Sequence, residues 1–362
     1  MTFAADSVGI YIHVPFCMRK CPYCDFYSCE NRLHERDAYV QAVCRNIRHY
    51  GNNKKADTLY FGGGTPSLLS PCQIAEIISC AESEFDLISP EITMEVNPAT
   101  VTPKILKDYR SAGVGRLSIG VQDLHDDSLE ILGRLHTAKQ AVKTVYDAKE
   151  AGFENISCDL MIGTKGQTSE RLRETLEKMT SLPINHISAY ILKIEEGTPY
   201  AKQNMQDSIP DEDAAADLYL EMVSFLEEKG FLQYEISNFA KKGFESRHNC
   251  RYWKLSDYIG IGPAAHSCYE GKRFYVPSDL DLFIKEEHQK VITEDDSPDI
   301  SQARIMLGLR LAEGIPLSWL DDIQQKTAEP FLKAGLMKTD SDRIRFTPRG
   351  FLVSNSILCE LI

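Results

Sequence analysis

Short apolar runs alternate with longer stretches of helical period along the first 195 residues. The apolar runs fall at 9–14, 57–61, 91–96, 115–121, 155–161 and 186–192, where Ile, Val, Leu, Tyr and Phe concentrate. Amphipathic stretches at 34–50, 71–83, 103–112, 138–151 and 169–181 lie between them, with Gly or Pro marking the junctions. This alternation predicts β–α units whose strands run parallel and are joined by right-handed crossovers. Six such units suit either a doubly wound sheet or a (β/α) barrel.

Polar residues at the ends of the predicted strands separate the two. His13 and a cysteine loop close the first, and Gly62-Gly63-Gly64-Thr65-Pro66 follows the second. The third ends in Glu95-Val96-Asn97-Pro98, the fourth in Gly120-Val121-Gln122-Asp123, and the fifth carries Asp159 near its end. A barrel assembles its site from the C-terminal ends of several strands. The expected fold class is therefore α/β, a partial (β/α)6 TIM-like barrel open on one side. Singly, these signals are weak. A glycine triplet after a strand is more often a tight turn, and Glu95, Gln122 and Asp159 serve equally well as caps or surface groups. Five rim positions beside one cysteine loop are harder to dismiss.

Beyond 195 the pattern changes. A helix is predicted over 210–229, opened by acidic residues that suit its N-terminal dipole, and a short strand over 234–237. Then comes Arg247-His248-Asn249-Cys250-Arg251-Tyr252-Trp253, followed by a Gly-rich run from Asp257 to His266. Taken bare, the first is a polar-aromatic corner at the barrel mouth in which His248 is a satisfied hydrogen-bonding residue. From 298 the expectation is helices at 300–313 and 317–334, a hairpin over 335–348 and a helix over 349–361, the order of a winged-helix-like module. Three regions result: 1–195 as the barrel, 196–297 as its completion with the polar-aromatic run, and 298–362 as the module.

Charge and cysteine usage narrow the classes. A net charge of −13 over 362 residues argues against bulk nucleic-acid binding, so the terminal module is assigned a structural or substrate-covering role. The run Glu294-Asp295-Asp296 is assigned to a solvated linker. Eleven cysteines, an odd number and mostly scattered, suggest free thiols in a reducing cytoplasm. Residues 1–7 lack the basic and apolar regions of a signal peptide, and no apolar run approaches the roughly 18 residues that span a bilayer.

The densest chemistry is Cys17-Met18-Arg19-Lys20-Cys21-Pro22-Tyr23-Cys24. Three soft thiolates on one loop can hold three irons of a [4Fe–4S] cluster. Asp25 and Phe26 follow, so the fourth iron has no neighbouring protein ligand and stays open to a substrate or cofactor. A structural zinc site needs four ligands at finger-like spacing, and no second pair follows downstream. Cys29 would have to fold back to serve as a fourth. Inert thiols are the remaining alternative.

The C-x3-C-x2-C spacing with an aromatic before its last cysteine resembles the signature of the radical S-adenosylmethionine (SAM) family. GGGTP, EVNP, GVQD and CDLMIG resemble the rim motifs of its coproporphyrinogen-dehydrogenase-like branch, over about the first two hundred residues. The resemblance implies that Cys17, Cys21 and Cys24 hold the cluster and that the amine and carboxylate of SAM chelate the open iron. It implies that Gly63, Gly64 and Thr65 contact the methionine part of SAM, that Tyr11 and Glu95 help position it, and that Tyr23 packs beside the cluster. Gln122, Arg134 and Asp159 match positions that contact a second SAM in the oxygen-independent oxidases. Reductive cleavage of a C–S bond of SAM to a 5′-deoxyadenosyl radical is the implied chemistry, with the protein supplying orientation.

HNCRYW resembles the HNxxYW motif of the heme chaperone (HemW) family, a motif implicated there in heme binding. This implies His248 as an axial heme ligand and Tyr252 and Trp253 as pocket walls. A C-x-x-C-H motif for covalent heme is absent from the sequence. The implied function is a heme chaperone that binds heme, a [4Fe–4S] cluster and SAM, draws on a reductant for the cluster, and passes heme to an acceptor, possible acceptors including a respiratory hemoprotein. The alternatives are an oxygen-independent coproporphyrinogen III oxidase and a non-catalytic iron–sulfur scaffold. The oxidases carry a further cysteine two residues after the third and an N-terminal extension. Here Phe26 holds that position and sixteen residues precede Cys17. Both departures favour a chaperone without coproporphyrinogen oxidase activity.

Overall fold

A computed structural model describes residues 6–295 and 298–362. Residues 1–5, where no leader was read, lie outside it, as do Asp296 of the acidic run and the 297 boundary.

The first six strands are β1 (Val8–Val14), β2 (Lys54–Gly63), β3 (Phe85–Val96), β4 (Arg116–Gln122), β5 (Asn155–Ile162) and β6 (His186–Ile191). Between them run α1 (Arg36–Tyr50), α2 (Pro71–Glu84), α3 (Pro103–Ser111), α4 (Asp126–Ile131), α5 (Ala138–Glu150) and α6 (Ser169–Ser181). Local chemistry sets the helix starts. Ser70 and Gln73 form a capping box before α2, and Thr137 and Gln140 another before α5. The short α4 was not anticipated, and β3 begins six residues earlier than its apolar run.

After β6 come α7 (Pro199–Lys202), α8 (Glu212–Glu228), β7 (Leu232–Gln233), β8 (Asn238–Ala240), α9 (Arg247–Trp253) and β9 (Tyr258–Ile261). Then follow β10 (His266–Tyr269), β11 (Lys272–Tyr275), α10 (Leu280–Lys285) and β12 (Ile292–Asp295). One twelve-stranded sheet joins them in the order β12-β11-β10-β9-β1-β2-β3-β4-β5-β6-β8-β7. From β9 to β6 neighbouring strands are parallel, with Tyr11 opposite Tyr60, Phe61 opposite Met94 and Leu117 opposite Ile156. A doubly wound sheet reverses its strand order at a switch point; β1 to β6 run without reversal, which leaves the barrel. It stays open because β6 pairs with antiparallel β8, and β1 with β9, rather than with each other. Both faces of the central strands are covered, as parallel sheets require, and Ile10, Ile12, Phe61, Leu117, Ile156 and Ile187 are fully buried in the main core.

The C-terminal elements are α11 (Ile300–Gly308), β13 (Ile315–Pro316), α12 (Asp322–Lys333), β14 (Met337–Asp340), β15 (Arg343–Phe346), α13 (Pro348–Leu352) and α14 (Ser354–Leu361). A separate apolar core around Leu309, Ile344 and Phe351 holds them together. The expected helix at 300–313 stops at Gly308, and that at 317–334 starts as a 3-10 turn at Leu317–Trp319 before α12. The strand expected at 234–237 is instead the link between β7 and β8, where Glu235 bridges Leu311 across to the C-terminal elements.

Candidate cofactor site at the barrel mouth

The cysteine loop leaves the C-terminal end of β1 and returns to it. Its base is closed by backbone bonds from Cys17 N to Cys29 O (3.0 Å) and from Cys29 N to Pro15 O (2.6 Å). Cys29 therefore does fold back, but to shut the base, and its thiol meets the Tyr27 hydroxyl at 3.4 Å. Farther along, Arg19 donates to Gly133 O at 2.7 Å, and Tyr200 N to Pro22 O at 3.0 Å, which fixes the loop against α4 and α7.

Cys17 is buried, with Sγ 3.5 Å from Thr65 Oγ1. Burial pushes the Cys17 and Cys24 thiols up. Arg134 donates from Nη1 to Cys21 Sγ (3.5 Å) and from Nη2 to Gly120 O (2.9 Å), setting a guanidinium beside the cysteines. Tyr23 is half-buried, its phenol raised by desolvation and then by the Cys21 thiolate. Among the described residues, no group of three or more His, Cys, Asp or Glu is gathered closely enough to hold a single metal ion. A cubane cluster takes one thiolate on each of three irons, which is the donor set this loop supplies.

A cavity of about 410 Å³ opens over this loop. Cys17, Cys21, Tyr23, Cys24, Gly63 and Gly64 line it from one side, and Thr65, Glu95, Gln122, Arg134 and Asp159 complete the set. The sheet thus brings together eleven of the residues singled out in the sequence. Gly64 N donates to Val14 O at 2.8 Å, and a Cβ there would sit 2.8 Å from Phe16 O. Gly63 has φ +106, and its Cβ would fall 2.6 Å from the His13 ring. Close approach to β1 therefore demands both glycines.

Glu95 accepts from the Tyr60 hydroxyl (2.9 Å) and from Gly63 N (3.2 Å). Desolvation, then the nearby Asp159, pushes its carboxyl up to about 8. Asp159 accepts from Ser118 Oγ at 3.0 Å and is raised mainly by burial. Gln122 holds a left-handed backbone, φ +69, uncommon for a residue other than glycine. Gln122 Oε1 and Arg134 Nε are buried at the cavity wall without hydrogen-bond partners among the described residues. An unsatisfied acceptor and an unsatisfied cationic donor in one wall fit a ligand bearing both amine and carboxylate groups, as SAM does.

The remaining candidates divide. Tyr11 and Tyr252 line a second opening of about 570 Å³ across β1, which shares Lys20, Asp25 and Phe26 with the first. His248 lines neither: it is buried, with Nδ1 2.8 Å from Thr58 Oγ1 and Nε2 2.8 Å from the Tyr252 hydroxyl, and its ring stacks on Tyr60 at 5.1 Å. Burial, then Arg251, holds its pKa down to about 3. In this arrangement neither nitrogen is available to an iron, so the axial role expected for His248 does not fit, and a satisfied core histidine does. Trp253 lines neither opening, because successive helical residues project about 100° apart.

Sequence reasoning missed Arg251. It is fully buried and ion-paired with the equally buried Asp57, and it donates to Ser7 O (3.0 Å) and Asp257 O (3.1 Å). It thereby ties the starts of β1, β2 and β9. An arginine inside an aromatic run was the only available signal.

A sequential, parallel, open barrel with three cysteines on the loop after its first strand is the architecture of a radical SAM protein. Residues 11–179 match the Radical SAM superfamily, and residues 296–353 match the HemN C-terminal domain. The chain is 32% identical to heme chaperone HemW of Lactococcus lactis, covering 96% of this chain and 95% of that one. It is 32% identical to heme chaperone HemW of Escherichia coli, covering 97% of each. A mouse relative, radical S-adenosyl methionine domain-containing protein 1, mitochondrial, is 31% identical over 99% of this chain and 88% of its own. The chain belongs to the radical SAM superfamily and, within it, to the HemW family. Among solved structures, coproporphyrinogen III oxidase (HemN) of Escherichia coli superposes with a TM-score of 0.86 at 22% identity, covering 98% of this chain and 90% of that one, a likeness of fold. The superfamily's cofactors are a [4Fe–4S] cluster and SAM. No helix among the described residues is long and apolar enough to cross a membrane.

Proposed function

We propose that this protein is a cytoplasmic heme chaperone that binds heme, carries a [4Fe–4S] cluster with SAM at its open iron, and passes heme to an acceptor protein. The observation that carries this reading is identity of 32% to curated heme chaperones over nearly the whole of both chains. Phe26, 67% exposed where the resembled oxidases place a further cysteine, supports it. All eleven cysteines are free thiols, in keeping with a reducing compartment.

Cys17, Cys21 and Cys24 hold the cluster, with Tyr23 packed beside it and Arg134 offsetting the thiolate charge. When bound, the cluster supplies a low-potential electron and SAM the sulfonium that accepts it. The chain does the rest. Gly63, Gly64 and Thr65 let the backbone come close to the methionine part of SAM, and Glu95, held by Tyr60, faces its positive charge. Tyr11, in contact with the Tyr60 and His248 rings, backs that wall. Gln122, Arg134 and Asp159 offer the remaining polar contacts. A cavity of about 410 Å³ is at the small end of ligand clefts, which run to about 1,000 Å³, and suits one SAM better than two. His248 acts as a support: it fixes Tyr252, which faces the second opening.

The test is a heme titration of anaerobically reconstituted protein followed by absorbance, then mixing with an apo-hemoprotein. Stoichiometric binding and transfer are expected, and absence of specific binding would overturn the proposal. No decarboxylation of coproporphyrinogen III should occur with SAM and a reductant; conversion would favour the oxidase. Failure to bind SAM would favour an iron–sulfur scaffold.

A further inference from the structure

The Gly-rich run ending at His266 has no part in the cavity over the cysteine loop. It sits at the C-terminal end of β9, and because β9 is parallel to β1 it opens on the rim from which the cysteine loop rises. The backbone there is tightly held. Ala264 has φ +65, Ala264 N donates to Val276 O at 3.1 Å, and Val276 N donates to Ala265 O at 2.9 Å. This turn buries Ala265 and projects His266 outward, its side chain 57% exposed.

Two contacts orient the His266 ring. It stacks on Tyr275 at 5.3 Å with 24° between planes, and Nδ1 lies 3.9 Å from Glu294 Oε2. At 3.9 Å the carboxylate makes no direct hydrogen bond, but its charge on the Nδ1 side favours a proton there and leaves the other nitrogen as the better metal ligand. Nε2 has no hydrogen-bond partner among the described residues, and His266 is part of the wall of the 570 Å³ opening. The other two histidines nearby differ. His13 is engaged at Nδ1 by the Tyr11 hydroxyl (3.1 Å) and at Nε2 by Tyr27 O (2.9 Å), and His248 is engaged at both nitrogens.

The rest of the opening is mostly aromatic, with one cation, Lys20, and one carboxylate, Asp25. Tyr252 and Tyr258 pack edge to face at 4.6 Å, Phe26 and Tyr27 lie opposite, and Lys20 is at the lip. A lone imidazole is too poor a donor set for a bare metal ion, and no group of three ligating side chains forms among the described residues. The chemistry fits a metal that brings its own flat, apolar macrocycle and acidic side chains, which is an iron porphyrin. We infer that His266 is the protein ligand of the heme iron, with the porphyrin lying against Tyr252 and Tyr258 and a propionate near Lys20. This rests on the heme-chaperone reading and gives that reading a site. Lys20, Asp25 and Phe26 border both openings, so heme there would adjoin the cluster cavity.

The experiment is a heme titration of the full-length protein, read by Soret absorbance, for the parent, His266→Ala, His266→Cys and His34→Ala. The parent should show an imidazole-ligated spectrum. His266→Ala should lose that spectrum, bind about 10-fold more weakly or worse, and regain the spectrum on addition of imidazole. His266→Cys should give a thiolate-ligated spectrum, which a merely misfolded variant would not. His34→Ala, at a histidine 74% exposed that does not line the opening, should match the parent. A parent-like spectrum and affinity in His266→Ala would overturn the inference and leave the chaperone reading standing. Absence of specific heme binding in the parent would overturn both.

Discussion

Replacing Glu95 by Gln should make the cofactor-free protein progressively more stable, relative to the parent, as pH rises from about 5 to 8. The folded carboxyl titrates at about 8 and the unfolded one near 4.5. Between those values the native state holds a proton that the unfolded state has released, so the parent loses stability as pH rises through this window and levels off above it. At 1.36 kcal/mol for each tenfold change in proton affinity, the gap sets a ceiling of about 5 kcal/mol. Glu95 lines an open cavity, and water there reduces the cost, so about 2 kcal/mol is expected. Gln has no charge to lose; its amide meets Gly63 N–H badly, but that penalty is the same at every pH. Glu91 and Glu235, also raised by burial, titrate in both proteins and largely cancel in the difference. The assay is urea denaturation of both proteins at pH 5 to 9, followed by circular dichroism. A stability difference that does not change with pH would refute the reasoning. SAM should then act in the opposite sense: its sulfonium favours the ionised carboxylate, so near pH 7 the parent should release close to one more proton on binding than the variant does.

Three further perturbations probe other parts of the structure. Arg251→Met removes an ion-pair partner from the buried Asp57, with Arg247 still 3.3 Å away, and should lower stability by about 3 kcal/mol, with Asp57→Asn in the same chain recovering part of it; denaturant midpoints give both values. Gly64→Ala drives a Cβ into the backbone oxygens of Val14 and Phe16 and should cost about 1–3 kcal/mol by the same measurement, with weaker SAM binding by calorimetry. Cys17→Ala, Cys21→Ala and Cys24→Ala should each bring iron content after reconstitution close to background, whereas Cys29→Ala should retain the cluster, because Cys29 closes the loop base through its backbone.

Much of the barrel was legible because its signals are local. Apolar runs at Ile10–Val14 or Leu117–Val121 are buried on both faces whatever lies beside them, and Ser70 and Thr137 cap the helices they precede. The rim could be read because each polar group directly follows its strand. The region after β6 was harder. Its sheet strands have two to four residues, too few to show a period, and pairing rather than composition makes them strands. The link at 234–237 shows the error this invites: Tyr234 and Ile236 look strand-like, yet Glu235 is spent on a bridge to Leu311.

By itself the sequence determined the succession of parallel strands, the cysteine loop and the residues at its rim, since each depends on spacing along one segment. Only the tertiary structure decided what each polar side chain meets. His248 and His266 are both histidines in polar-aromatic stretches near the barrel mouth. Thr58, 190 residues away from His248, is what occupies one of its nitrogens, while Tyr252 occupies the other. The pairing of β9 with β1 is what carries His266 to the rim, where it lines the opening. Whether a buried polar group is satisfied or free to bind depends on partners distant in the chain, and no local pattern encodes them.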